Sequence, residues 1–114
     1  MITVYGIKNC DSVKKALRFL QEHSIPYRFH DMKSDPLNAE IVREWNRYVS
    51  VDTLLNTKGT TYRTLDLKNK SLDEEDKITW MGQHNLLIKR PVIDMDQKLI
   101  VGFNQSQYEG IFLP

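Results

Sequence analysis

The chain has a single thiol, Cys10, and it lies in a polar stretch, Lys8-Asn9-Cys10-Asp11-Ser12. This stretch falls between a predicted strand and the predicted start of a helix, where unpaired backbone N–H groups and the helix dipole favour negative charge. A thiolate would be stabilised there, with Lys8 adding a positive charge and Asp11 opposing it. A lone free cysteine is most often a small buried hydrophobe. The polar turn instead favours a reactive thiol.

A dithiol mechanism lacks its second residue. A thioredoxin-type pair would need another cysteine at position 13, which Val13 occupies. Cys10 can attack a disulfide or be oxidised, but the thiol that resolves the resulting mixed disulfide must come from outside the chain. Glutathione, a glutaredoxin-like protein or another protein could supply that thiol. The sequence therefore predicts a monothiol mechanism.

Composition and motifs argue against several other classes of protein. His23, His30 and His84 have no metal-ligand spacing with each other or with Cys10, so we expect no metal site. The sequence has no phosphate loop, dinucleotide fingerprint or nucleophile elbow, and we expect no bound cofactor. A formal net charge of +1 favours neither nucleic-acid binding nor membrane binding.

The first residues, Met1-Ile2-Thr3-Val4-Tyr5, have neither the basic leader nor the long apolar run of a signal peptide. No later stretch approaches the length of a transmembrane helix. A single cysteine also fits a reducing compartment. We therefore expect a cytoplasmic protein.

Each end of the chain predicts two strands and one helix. Residues 2–6 form a short apolar strand, and residues 27–31 alternate like a second one. The helix between them has an apolar stripe of four residues: Val13, Ala16, Leu17 and Leu20. Near the other end, Val92-Ile93 and residues 98–102 predict a hairpin, and residues 105–112 predict a last helix. A right-handed crossover makes the first two strands parallel.

The middle of the chain predicts a block of helices. Asp35-Pro36 resembles an N-cap and a first-turn proline. The residues after it form one apolar stripe: Leu37, Ile41, Trp45 and Val49. Residues 56–61 are loop-like, and Ser71-Leu72-Asp73-Glu74 has capping-box spacing before a helix that turns Ile78 and Met81 inward.

The order of these elements predicts an α/β fold of the thioredoxin-like type. We expect one domain, residues 1–114, with a four-stranded mixed sheet and flanking helices. A helical insert, at about residues 35–86, would separate its β-α-β half from its β-β-α half.

Four segments carry a family resemblance that spans essentially the whole chain. They are Val4-Tyr5-Gly6-Ile7-Lys8-Asn9-Cys10, Leu54-Leu55-Asn56-Thr57-Lys58-Gly59-Thr60-Thr61-Tyr62-Arg63, Leu87-Ile88-Lys89-Arg90-Pro91-Val92-Ile93 and Val101-Gly102-Phe103-Asn104. Together they resemble the ArsC/Spx family of thioredoxin-fold proteins, and its YffB-like branch in particular. The Cys10 turn combined with Arg90-Pro91, about 80 residues later, is the most specific part of the pattern.

The resemblance implies roles for the residues of one shared site. Cys10 would be the nucleophile, Arg90 would lie beside it, and Pro91 would be a cis-proline that introduces a strand near the thiol. The turn residues Lys8 and Asn9 are further candidates for binding the thiolate or the substrate. Arginine offers a permanent charge and a planar fork for an oxyanion or a carboxylate. A cis-proline exposes adjacent backbone groups that a glutathione peptide could pair with. The alternative for Arg90 is a surface cation.

Family members that reduce arsenate resemble one another in holding the oxyanion with three arginines. Aligned on Leu54-Leu55 and Arg90-Pro91, the first arginine falls on Asn56 and the third on Gly102, which leaves only Arg90. This departure argues against arsenate reduction. Two residues of the 56–63 loop could supply replacement charge and contact glutathione carboxylates, or could be solvated loop charges: Lys58 and Arg63.

The resemblance and the lone thiol lead to one main functional hypothesis. We expect an oxidoreductase, a glutathione-dependent thiol/disulfide reductase that acts with glutathione or a glutaredoxin-like protein, with a protein disulfide as one substrate class. One alternative is a glutaredoxin-dependent arsenate reductase. Another is an Spx-like regulator that docks onto RNA polymerase. Spx-type members commonly carry a Cys-x-x-Cys switch, which Val13 removes.

Overall fold

A four-stranded mixed sheet joins the two ends of the chain in the computed structural model, which describes residues 1–114. Its strands are β1 (Ile2–Gly6), β2 (Tyr27–Asp31), β3 (Val92–Asp94) and β4 (Leu99–Val101), in the spatial order β2-β1-β3-β4. β1 runs parallel to β2 and antiparallel to β3, and β3 runs antiparallel to β4. The structure confirms the predicted thioredoxin-like α/β sheet and its closing hairpin.

Helix α1 (Asp11–Glu22) and helix α6 (Gln105–Phe112) pack on one face of this sheet. The residues that meet there form what we call the sheet cluster: Val4, Ala16, Phe19, Leu20, Ile93, Ile100 and Tyr108. Burying one such large apolar side chain contributes about 1.5–3 kcal/mol. The predicted stripe of α1 is correct except at Leu17, which is only partly buried, while Phe19 is 3% exposed.

The chain divides into two compact units. The first combines Met1–Asp35 with Arg90–Pro114, and the second is Pro36–Lys89. The second unit contains four α-helices and two short 3₁₀ helices, and an isolated β-bridge joins Leu55 to Ile88. Its α-helices are α2 (Ala39–Trp45), α3 (Val51–Leu54), α4 (Thr60–Thr64) and α5 (Glu74–Gln83). That the whole chain acts as one domain with an insert stays a prediction. No helix is long and apolar enough to cross a membrane.

The predicted start of α2 at Asp35-Pro36 is wrong by several residues. Asn38 is the N-cap, and its side-chain oxygen accepts a hydrogen bond from the Ile41 N–H at 3.2 Å. Leu37 cannot join the helix because Asn85 binds both of its backbone polar groups, at 2.7 Å and 3.0 Å. The helix also ends before Val49. Its buried residues are Val42 and Trp45, and the predicted stripe residue Ile41 is only partly buried.

The capping box of α5 lies two residues later than predicted. Asp73 accepts from the Asp76 N–H at 2.8 Å, and Asp76 accepts from the Asp73 N–H at 3.2 Å. Serine and aspartate are equally good N-caps, so the sequence spacing alone did not separate Ser71 from Asp73. Ile78 and Met81 are buried, as predicted.

The end of β1 approaches α1 more closely than any side chain would allow. A Cβ at Gly6 would lie 2.7 Å from Cγ2 of Val13. Val13 is fully buried, and its branched side chain has few alternative rotamers. Gly6 and Val13 flank residues 7–10, which we call the Cys10 turn. This close approach therefore fixes both ends of the segment that carries the thiol.

Gly6→Ala is expected to lower the free energy of unfolding by about 1–3 kcal/mol, because the added methyl group overpacks against Val13. Gly110→Ala is the matched control. An added Cβ at position 110, inside α6, has no atom within 4 Å, and alanine there should stabilise by about 0.5–1 kcal/mol. Urea unfolding followed by circular dichroism measures both variants. A Gly6→Ala protein as stable as the parent would contradict the constraint.

Candidate active site

Cys10 is the N-cap of α1, with φ −145° and ψ 122°. Its carbonyl accepts the first hydrogen bond of the helix, from the Lys14 N–H at 3.0 Å. Its side chain makes no capping hydrogen bond, and the residue is a free, partly exposed cysteine. First-turn N–H groups have no partners within the helix, and together with the helix dipole they stabilise an anion. This position suits a nucleophilic thiolate.

Lys8 and Asn9 are both exposed in the Cys10 turn, directly before the thiol. Asp11, the first residue of α1, is also exposed, so a negative charge follows the positive charge of the turn. The strand that leads into the turn is held by the Met32 N–H, which donates to the Gly6 carbonyl at 2.9 Å. This hydrogen bond therefore anchors the start of the turn that carries the sulfur.

Tyr5 precedes the turn on β1 without adding charge to it. Its ring lies 4.8 Å from that of His30, between centroids. Burial raises the pKa of Tyr5, the Asp94 carboxylate raises it further, and Arg28 acts in the opposite direction. The Tyr5 hydroxyl is therefore protonated at neutral pH.

Arg90 and Pro91 reach the same edge of the sheet through β3. In the antiparallel register of β1 and β3, Val92 lies opposite Tyr5. Extending that register places Pro91 and Arg90 at the carboxyl end of β1, where the Cys10 turn begins. Arg90 is half-buried, with its Nε atom shielded from solvent. The peptide bond between Arg90 and Pro91 is cis, as the family resemblance implies.

Gly102 binds the backbone of Pro91. Its N–H donates to the Pro91 carbonyl at 2.8 Å, and its φ is +82°. Residues with a side chain rarely adopt this left-handed backbone. An added Cβ would meet no atom within 4 Å, so the restriction lies in the backbone and not in a clash. An arginine here, the third of the arsenate-reducing pattern, would have a conformational cost.

Asn56, at the position of the first missing arginine, has a structural role that its neighbours in sequence do not reveal. Its N–H donates to the Leu87 carbonyl at 2.7 Å, and its side-chain oxygen accepts from the Lys58 N–H at 3.3 Å. Gly59 lies directly on this side chain, because a Cβ there would be 2.7 Å from Nδ2 of Asn56. The short amide shapes the turn over residues 56–59.

Lys58 and Arg63 come together in this part of the second unit. The Arg63 guanidinium donates to the Lys58 carbonyl at 3.0 Å and to Oγ1 of Thr60 at 3.4 Å. Both side chains are exposed. The predicted loop over residues 56–61 is wrong at its end, because α4 begins at Thr60. Arg63 thus fastens its own loop, while Lys58 uses only its backbone in these bonds.

The structure therefore groups the candidate residues by unit. The first unit brings the Cys10 turn to the same sheet edge as Arg90 and the cis-proline backbone, and the second holds Lys58 and Arg63. The first group supplies one nucleophile, a lysine and an arginine, which suits attack on a disulfide of an anionic thiol compound. No group of three or more His, Cys, Asp or Glu residues could hold a metal ion.

Comparisons with known proteins extend over nearly the whole chain. The ArsC family matches residues 5–111. The chain is 30% identical to the global transcriptional regulator Spx of Listeria innocua over 116 residues, covering 100% of this chain and 88% of that protein. A solved structure of the protein YffB is 38% identical, with a TM-score of 0.90 and coverage of 96% and 97% of the two chains. An arsenate reductase (ArsC) related protein from Brucella melitensis is 42% identical, with a TM-score of 0.79 and coverage of 99% and 95%.

Gly102→Val is expected to lower the free energy of unfolding by about 1–2 kcal/mol, because a β-branched residue is strained in left-handed backbone. Gly102→Asn is the matched control and should lose less, since asparagine visits this conformation more readily. Denaturant unfolding of both variants makes the comparison. Equal losses in the two variants would mean that the conformation of residue 102 is not what requires glycine.

Proposed function

The chain belongs to the ArsC family, and from that premise we propose that it is a glutathione-dependent thiol/disulfide reductase with Cys10 as its nucleophile. One observation carries the proposal. The only thiol of the chain caps a helix N-terminus, at the sheet edge to which β3 brings Arg90 and the cis-proline. A site with one thiol and one arginine needs an external thiol to complete its cycle.

In the first proposed step, the Cys10 thiolate attacks the glutathione sulfur of a disulfide between glutathione and a substrate. That S–S bond breaks, a Cys10–glutathione disulfide forms, and the substrate leaves as a thiolate that takes a proton from water. In the second step, the thiolate of another glutathione attacks the glutathione sulfur of this mixed disulfide. Cys10 leaves as a thiolate and glutathione disulfide is released. The substrate is reduced, and glutathione is the reductant.

The N-cap position serves both steps. The backbone N–H groups of the first turn face the Cys10 sulfur position, where negative charge develops when Cys10 attacks and when it leaves. Lys8 adds a positive charge beside the incoming glutathione, and Asn9 offers an amide that can donate to it.

Arg90 and Pro91 would bind the glutathione that reacts. The guanidinium can hold one glutathione carboxylate with two parallel hydrogen bonds. The backbone at the cis-proline can pair with the extended glutathione peptide, which would align its sulfur with Cys10. Lys58 and Arg63 stay predictions as carboxylate contacts. Arg63 already fastens its own loop, so we expect Lys58 to be the more available of the two.

Arsenate reduction with a glutaredoxin is the less favoured enzymatic function. Of the three arginines in the pattern of arsenate-reducing members, this chain keeps Arg90 alone. Asn56 and Gly102 take the other two places, and each is tied to the fold through its own hydrogen bonds. Arginine at position 56 would remove the side-chain oxygen that accepts from the Lys58 N–H, and arginine at position 102 would be strained in the left-handed backbone.

Cys10→Ser is expected to abolish glutathione-dependent reduction of the mixed disulfide of glutathione and 2-mercaptoethanol, measured with glutathione reductase and NADPH. Arg90→Ala should lower kcat/KM by about 10- to 100-fold, the effect of losing a charge-assisted hydrogen-bond pair. Arg90→Lys should fall between, because it keeps the charge and loses the fork. Arg18→Ala removes the same charge from an exposed part of α1 and serves as the matched control.

Two outcomes would refute this assignment. One is a Cys10→Ser protein that keeps its glutathione-dependent activity. The other is a parent protein whose activity does not exceed that of Cys10→Ser. An equal loss in Arg90→Ala and Arg18→Ala would remove Arg90 from the proposed site while leaving the thiol in it.

Binding to RNA polymerase is the second candidate function, favoured by the 30% identity with Spx over the full length of this chain. Docking of this kind does not need two cysteines. Purified chain and bacterial RNA polymerase can be run together on a sizing column. Under the reductase proposal we expect no co-elution. A stable complex that survives Cys10→Ser would instead support a regulator that binds independently of its thiol.

A further inference from the structure

Tyr108 is a fully buried residue whose hydroxyl has one specific partner. The residue is 0% exposed, and its ring centroid lies 5.5 Å from that of Phe19 and 4.8 Å from that of Phe103. Its hydroxyl donates to the Gly102 carbonyl at 2.7 Å. Burial raises the pKa of Tyr108 far above its usual value. The hydroxyl is therefore a neutral donor over the whole physiological pH range.

Gly102 transmits this restraint to the backbone of the candidate site. Its carbonyl accepts from Tyr108, and its N–H donates to the Pro91 carbonyl at 2.8 Å. Gly102 is thus held on both sides in its left-handed conformation. Asn104 caps α6 by accepting from the Gln107 N–H at 2.9 Å, which fixes the helix that carries Tyr108. Two hydrogen bonds therefore connect α6 to the residue after Arg90.

Packing alone does not account for a tyrosine at this position. Phe19, Phe103 and Phe112 already surround the ring, and phenylalanine would fill the same space without a hydroxyl to desolvate. The hydroxyl is compatible with this apolar cluster because Gly102 accepts its hydrogen bond. The hydroxyl adds one interaction that phenylalanine lacks, the hydrogen bond that restrains the Gly102 carbonyl.

We propose that Tyr108 is a positioning residue of the reductase site, acting through Gly102 and Pro91 on the placement of Arg90. This inference rests on the proposed function, in which Arg90 binds a carboxylate of the glutathione that reacts with Cys10. The Val101-Gly102-Phe103-Asn104 segment contains no group that enters the chemistry directly. It joins β4 to α6, and its Gly102 N–H holds the carbonyl of the cis-proline through a hydrogen bond.

Tyr108→Phe removes the hydroxyl alone and is the variant of choice. Cys10 is treated with glutathione disulfide, whose S–S bond breaks as a Cys10–glutathione disulfide forms and one glutathione thiolate leaves. We expect the rate constant of this reaction to fall about fivefold, the effect of one lost hydrogen bond. Alkylation by neutral iodoacetamide, which does not need Arg90, should keep its rate. Mass spectrometry follows both products.

Ile100→Val is the control for packing. Ile100 belongs to the same sheet cluster and is 1% exposed, and the change removes one methylene without touching either hydrogen bond. We expect it to leave the ratio of the two rates unchanged. A fall in the ratio as large as that of Tyr108→Phe would assign the effect to packing and overturn the proposal.

An Arg90→Ala background separates a positioning role from a structural one. If Tyr108 acts through Arg90, Tyr108→Phe should change the ratio of rates less than about twofold once Arg90 is alanine. The same fold-change in both backgrounds would overturn the proposal. So would an unchanged ratio in Tyr108→Phe alongside a reduced ratio in Arg90→Ala, an outcome that leaves the reductase function standing. Residual turnover in Cys10→Ser, by contrast, counts against the function itself.

Hydrogen exchange gives a readout that does not depend on glutathione. The Gly102 amide donates to Pro91, so its exchange rate reports on the second link of the connection. We expect Tyr108→Phe to speed this exchange about tenfold and Ile100→Val to leave it unchanged. Equal exchange in Tyr108→Phe and the parent would show that the hydroxyl does not hold Gly102, and would overturn the proposal.

Discussion

The antiparallel pairing of β3 with β1 is the constraint on which the candidate site depends. Val4 and Ile93 lie opposite each other in this pairing, and both are fully buried in the sheet cluster. A slip of one residue would turn a buried side chain such as Ile93 to the other face of the sheet, and it would also move Arg90 relative to the Cys10 turn. The register that buries the core therefore also sets the geometry of the site. The entropy lost when β3 pairs with the distant β1 is modest, because the entropy of loop closure grows only with the logarithm of loop length.

Local patterns were sufficient for the parts of the fold that pack through a regular stripe. The apolar run of residues 2–6 and the alternation of residues 27–31 predicted strands whose bounds agree with β1 and β2. The helical spacing of Val13, Ala16 and Leu20 predicted the helix between them. The ends of the helices in the second unit were less predictable. Asn85 binds the backbone of Leu37 from 48 residues away, and no local signal before α2 reveals this. At α5, Ser71 and Asp73 both have capping-box spacing, so the sequence did not show which of them is the N-cap.

The candidate site was predictable to a different degree at each residue. Cys10 was predicted from its residue type and its polar turn. Arg90 and Pro91 were predicted only from the family resemblance, because no local sequence feature indicates which residues lie near them in the fold. The task of Gly6 was missed, although a glycine that ends a strand just before a helix is a signal of close packing. The sequence did not single out Tyr108, because its residue type does not show that its hydroxyl donates to the Gly102 carbonyl.

The residues that replace the missing arginines bear on which chemistry fits the site. A multiply charged oxyanion has several oxygens to bind, and one guanidinium fork reaches two of them, leaving the rest to be desolvated without partners. A disulfide has no formal charge on its reacting sulfurs, so the disulfide exchange proposed above does not require several guanidinium groups around them. The reacting atoms need only a stabilised thiolate, which the N-cap of α1 favours. Because Asn56 and Gly102 have tasks in their own turns, Arg90 alone remains of the three arginines, and this supports the proposed disulfide exchange over arsenate reduction.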